Sequence, residues 1–184
     1  MCGIVGIFHK GHGQVRTGPV GDVLVTMCQD LYRRGPDSAG FAVYGPPHDA
    51  SLVVRVDIDR PDLAHATELV AIAAEQLVLV KDWRTVSSGP GGRSVRLEVA
   101  SDGEGKLADW IEEQVPGARV FSIGHAMEIV KDVGSANEVD AIHNVRALTG
   151  THGIGHTRMA TESRVDIAHS HPFWARPFPD IAVV

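Results

Sequence analysis

The sequence predicts a mixed fold of strands and helices with a small α/β subdomain in its middle. Three observations carry this. An apolar opening run is followed by a helix-periodic segment and a second apolar run. From Asp49 to Gly150, strand-like and helix-like patterns alternate. At 184 residues with 43% apolar and 22% charged content, the chain can bury the core of one domain.

Taken in order, Ile4 to Phe8 reads as a buried strand, and Lys10 to Pro19 as a loop rich in glycine and proline. Val20, Val23, Leu24, Met27, Cys28 and Leu31 recur at three- and four-residue spacing, which predicts a helix with Cys28 on its apolar stripe. Gly35-Pro36 stops that helix, and Ala39 to Tyr44 is a second strand closed by Gly45-Pro46-Pro47. In the middle, Ser51 to Ile58 alternates as a strand and Pro61 to Leu79 reads as a helix. Ser87 to Arg93 is a flexible turn and Ser94 to Ala100 a strand. Leu107 to Val115 is a short helix, Arg119 to Ile123 a strand and Val139 to Leu148 a helix. The Gly-x-Gly pieces at Gly103 and Gly153 lack the strand-turn-helix setting of a dinucleotide site. There is no internal repeat.

The net charge of −6 argues against nucleic acid or an anionic membrane as the main partner. Two cysteines, Cys2 and Cys28, make no disulfide framework, so a reducing cytoplasm is expected. No stretch is apolar and long enough to span a bilayer, and no secretory segment opens the chain.

Chemistry concentrates at the two ends. Cys2 is followed by Gly3, and a small residue at this position permits trimming of Met1, leaving thiol and α-amine on one carbon. Free thiols titrate near about 8.5 and α-amines near about 7.7–8.0, so the amine can act as base for its own side chain. Gly3 would leave space for a substrate at the thiol. The plainer reading of Cys2 is a small apolar residue at an unprocessed strand start. Near the other end, Thr151 to Arg164 gathers hydrogen-bonding groups in what reads as a glycine-bearing loop. Its Arg158 suits a carboxylate gripped bidentately, with Thr157 and Thr161 adding hydroxyls. His143, His152, His156, His169 and His171 match no zinc spacing, so no metal is expected. His156 reads instead as a hydrogen-bonded structural residue. Glu162 and Arg164 read as an exposed pair, and Glu112-Glu113 as a solvated helix face. Trp83, Trp110 and Trp174 are too scattered for a stacking platform.

Three segments, Cys2-Gly3-Ile4-Val5-Gly6, Arg34-Gly35-Pro36-Asp37-Ser38-Ala39-Gly40 and Gly155-His156-Thr157-Arg158-Met159-Ala160-Thr161, together resemble class II glutamine amidotransferase domains. The long middle and Pro36 are most similar to the glutamate synthase branch. The resemblance covers Met1 to about Gly45 and Thr151 to Val184. It implies an α+β fold, a four-layer αββα Ntn-hydrolase sandwich with its C-terminal part missing and an α/β subdomain inserted at about residues 49–150. It implies hydrolysis of L-glutamine to glutamate and ammonia through a Cys2 thioester, with ammonia passed to a synthase subunit or domain and no cofactor. It implies Arg158 on the substrate α-carboxylate, with Thr161 beside it on a loop that closes over glutamine. Met159 stands where family members often carry an aromatic, and Asp37 and Ser38 match a motif of largely structural role.

The strand resembling Asp180 to Val184 runs, in the family, into a His-Asn-Gly that forms the oxyanion hole, and the sequence ends at Val184, one step short of it. The expectation is therefore an incomplete domain lacking that hole, whose loss at even one donor costs about 10²–10³ in rate. Two alternatives stay open: a non-catalytic partner of the same fold, and an N-terminal-cysteine amidohydrolase acting on another amide.

Overall fold

The computed structural model describes residues 2–10, 17–48, 50–59, 66–86, 93–100, 104–161 and 165–184. Met1, most of the first loop, the Ser87 turn, Gly103 and the Glu162/Arg164 pair lie outside the described residues. The chain forms two compact units: Met1–Pro47 with Ile129–Phe173 and Ala182–Val184, and His48–Glu128 with Trp174–Ile181.

In the first unit, strands β1 (Gly3–Phe8), β2 (Ser38–Tyr44), β7 (Met127–Val133) and β8 (His152–Arg158) form a sheet in the order β1-β8-β2-β7. β8 pairs antiparallel with β1 on one side and β2 on the other. The segment expected as a polar loop is thus a central strand. Its Gly153 and Gly155 explain the difference. A Cβ at Gly155 would lie 2.8 Å from the Cys28 sulfur and 2.9 Å from Val5, and one at Gly153 would lie 2.8 Å from Val20. The two glycines admit helix α1 (Val20–Asp30), whose Val20, Leu24, Val25 and Cys28 are fully buried. As expected, Cys28 is a core residue, and burial pushes its thiol up to about 12. Helix α4 (Ala136–His143) starts from a complete capping box between Ser135 and Glu138. The helix expected to run to Leu148 stops at Asn144, which takes a left-handed conformation (φ 53°) and feeds a 3₁₀ turn, Val145–Ala147.

The second unit holds β3 (Ser51–Ile58), β4 (Val80–Val86), β5 (Arg93–Ala100) and β6 (Ala118–Gly124) in the order β4-β5-β3-β6. The β4–β5, β5–β3 and β3–β6 pairs are all antiparallel. Helices α2 (Ala66–Glu75) and α3 (Glu104–Gln114) share one core with Val54, Val56, Leu97 and Ile123. α2 ends earlier than the expected Leu79, because Leu77 and Val78 both turn back to the Ala74 carbonyl. Glu112 is not a solvated side chain as expected: its carboxylate accepts from the Val120 amide at 2.7 Å and from Arg176 at 3.0 Å. On the other face of the sheet Glu128 bridges Arg55 (2.8 Å) and Arg96 (3.1 Å). Burial alone would raise its pKa, but Arg55 and the hydrogen bonds from Arg96 hold it below the usual carboxylate range. Two short strands, β9 (Phe173–Trp174) and β10 (Ala182–Val183), pair with each other.

Candidate active site

The β1–β8 register ends at Gly3 opposite Thr157. Cys2 and Arg158 are the next residues outward on these neighbouring strands, and Ser38 of β2 lies directly opposite Arg158. Directly opposed residues share a face, so Arg158 and Ser38 project from the side of the sheet away from α1. Cys2 is exposed, whereas Arg158 is 8% exposed and Ser38 1%. The space left by the missing Gly3 side chain is not open to a substrate, as the sequence suggested. A Cβ there would lie 2.7 Å from Thr157 Oγ1 and 2.9 Å from Leu31, on the α1 side.

Asp37 pins the chain that leaves β8. Its amide donates to the Arg158 carbonyl (3.0 Å), its carbonyl accepts from Gly134 (2.9 Å), and its carboxylate accepts from the Ala160 amide (2.7 Å). Thr161 follows immediately and is exposed, with half of the neighbouring Ala160 buried. The segment bearing Arg158, Ala160 and Thr161 is thereby tied to Asp37, just before β2, at two backbone atoms, the Arg158 carbonyl and the Ala160 amide.

One row inward, His156 faces Ile4 on β1 and Gly40 on β2. The His171 ring stacks on His156 at 4.7 Å, and Phe173 meets His171 edge-on at 4.5 Å. Gly40 is needed here: a Cβ would sit 2.1 Å from the His171 carbonyl oxygen. Lys131 holds this segment by donating to the carbonyls of Ser170 (2.7 Å) and Pro172 (3.2 Å). Burial, then His171 and then Arg158, pull the His156 pKa down to about 4, and burial with Lys131 and Arg158 lowers that of His171. Both rings are neutral near pH 7. His156 was expected to be hydrogen-bonded, but its Nδ1 has no partner among the described residues. Ser38 Oγ, Thr157 Oγ1 and His171 Nδ1 are also buried without one. Buried polar atoms normally find partners. The side chains of Ser38, His156 and His171 share the face that carries Arg158 and would be completed there by a polar ligand, whereas Thr157 Oγ1 faces α1 and His9 Nε2, buried without a partner too, lies beyond the other end of β1 against Gly18.

The remaining late histidines have local roles. His143 meets Asp132 at 2.9 Å inside the unit, His152 stacks on Tyr44 at 4.1 Å, and His169 meets Asp166 at 2.7 Å. Among the described residues no group of three His, Cys, Asp or Glu side chains could hold a metal ion. Likewise, no helix among them is long and apolar enough to cross a membrane. Sequence reasoning named Cys2, Arg158 and Thr161, but it missed Lys131 and His171. Only the strand register, which places Lys131 beside Gly40, brings these two next to His156.

No family model matches the chain. It is 34% identical, over 190 aligned positions, to a provisionally named glutamine amidotransferase of Methanothermobacter thermautotrophicus, covering 100% of this chain and 60% of that protein. It is 36% identical, over 179 positions, to the glutamine amidotransferase-like protein GlxB of Rhizobium meliloti, covering 94% of this chain and 54% of that protein. The chain thus spans little more than half the length of these relatives. Both relatives carry glutamine amidotransferase in their names.

Proposed function

We propose that the chain carries the nucleophile and the carboxylate grip of a class II, N-terminal-nucleophile glutamine amidotransferase of the glutamate synthase-like branch. In this reading the sheet of the first unit is one layer of a four-layer αββα sandwich. The observation that supports it best is that Cys2 and Arg158 flank the Gly3–Thr157 pair at one end of adjacent strands. A nucleophile and a cation carried at the same end of adjacent strands match the two ends of a short amino-acid amide. The two relatives' names point to the same substrate, L-glutamine.

After removal of Met1, the α-amine of Cys2 takes the thiol proton and Sγ attacks the glutamine carboxamide carbon. The C–N bond breaks, the amine returns its proton to the departing nitrogen, and ammonia leaves a γ-glutamyl thioester. Water then attacks the thioester, the amine accepts its proton, and glutamate departs as the thiol reforms. Arg158 holds the substrate α-carboxylate bidentately, with the Thr161 hydroxyl adding a donor on the tethered loop. The neutral His156–His171 stack beside it adds no competing positive charge. Ammonia passes to a synthase subunit or domain in the cytoplasm.

The test is intact mass spectrometry before and after exposure to a glutamine-analogue diazoketone. The expected result is loss of Met1 and a single adduct, absent in Cys2→Ala and formed more slowly in Arg158→Ala. A trimmed chain that ignores the diazoketone while Cys2 alkylates freely would overturn the reading.

A further inference from the structure

In the second unit β4 lies at the end of the sheet order and, among the described residues, pairs only with β5. Residues 81–85 are all exposed, including the indole of Trp83 at 37%. Such an edge presents unpaired backbone groups, and proteins commonly blunt it with charge. Here the order of the charges matters. Across the β4–β5 pair, Asp82 faces Glu98 and Arg84 faces Arg96, so each β4 charge meets a like charge in its own sheet. Arg96 is engaged instead by Glu128.

The sequence Asp82-Trp83-Arg84 is self-complementary when read antiparallel about Trp83. A two-fold copy of β4 would set Asp82 opposite Arg84 of the copy, Arg84 opposite its Asp82, and Trp83 opposite its Trp83. The register irregularity between Val80 and Asp82 lies outside these three positions. Lys81 would not repel the copy, because its ammonium is drawn back onto the Ala50 carbonyl (2.6 Å) and Ser51 Oγ (2.8 Å). We propose that β4 is a self-association edge: a second copy of this chain pairs with it antiparallel, centred on Trp83, through the Asp82–Arg84 charge match. The contact is isologous and closes as a dimer. It joins two four-stranded sheets into one of eight strands and sets each β4 charge, which faces a like charge on β5, opposite an unlike one.

The test is sedimentation of the chain over a range of concentrations. Wild type should shift from one to two chain masses. Asp82→Arg turns both cross-copy attractions into repulsions and should weaken the dimer about tenfold. It also sets Arg opposite Glu98, so the variant keeps its own sheet and a failure to fold does not cloud the result. The double exchange Asp82→Arg/Arg84→Asp restores the match and should restore the dimer. Trp83→Cys in a Cys2→Ser background should form a symmetric interchain disulfide on mild oxidation, because the two Cα atoms lie directly opposite. A wild-type chain that stays monomeric overturns the proposal. So does a dimer indifferent to Asp82→Arg, or one that the double exchange fails to rescue.

Discussion

Asp37→Ala separates the scaffold from the chemistry in the first unit. It removes the carboxylate that accepts from the Ala160 amide at 2.7 Å, while both backbone bonds of residue 37 remain. A hydrogen bond to a charged group contributes about 1.5–3 kcal/mol. Ala160 is half-buried, so water replaces part of the loss and the lower end applies. For a chain of this size that corresponds to a fall of about 3–6 °C in melting temperature. The larger effect falls on the loop that carries Arg158 and Thr161, which keeps its carbonyl tie but loses the side-chain tie. Melting by circular dichroism and the rate of Cys2 labelling by a glutamine-analogue diazoketone should both change in Asp37→Ala. In Asp37→Asn they should stay close to wild type, because the amide oxygen can still accept from Ala160. If Ala and Asn behave alike, or if labelling is untouched in Asp37→Ala, the carboxylate does not hold the loop.

Three further outcomes follow from the packing and the charges. The folded-state pKa of His156, about 4, lies below its ordinary value of about 6.5, so between these values the unfolded chain binds more protons and stability falls as pH falls. Urea melts should show a loss of about 1.5 kcal/mol between pH 6.5 and pH 5, and His156→Gln should flatten it. Gly155→Ala places a methyl 2.8 Å from the Cys28 sulfur and should cost about 1–3 kcal/mol in denaturant melts, partly recovered in the Gly155→Ala/Cys28→Ala double variant. With its pKa at about 12, Cys28 is a thiolate in only about one molecule in 10⁴ at pH 8, so iodoacetamide should label the native chain once and the unfolded chain at both of its 2 cysteines.

The elements that sequence reasoning recovered are those whose faces differ. α1 shows its stripe, β2 is mostly apolar, β3 is rich in Leu, Val and Ile, and β5 alternates cleanly. Those it missed are strands whose polar residues find partners out of sight of the pattern. β7 carries Glu128, Lys131 and Asp132, which look like surface, yet they are bound by Arg55 and Arg96, by the Ser170 carbonyl and by His143. β4 is exposed from Lys81 to Thr85, with only its terminal valines partly buried, and so gives little apolar face to read. Cys2 and Arg158 were legible as residue types, but their adjacency was not, because it depends on pairing positions more than 150 residues apart.

β8 shows why the fold and the candidate site cannot be varied separately. Alternation along one strand sends Gly153, Gly155 and Thr157 toward α1, and His156 and Arg158 to the opposite face. Residues facing α1 must be small, because the helix lies against the sheet at van der Waals distance. The other face then has only alternate positions on which to set charge and ring, and it uses two consecutive ones for His156 and Arg158. Inserting one residue in β8 would exchange the two sets, pressing His156 and Arg158 against Leu24 and Cys28 and turning the glycines outward. The polar string that reads as a loop is instead a strand whose small residues make the core and whose large ones make the site.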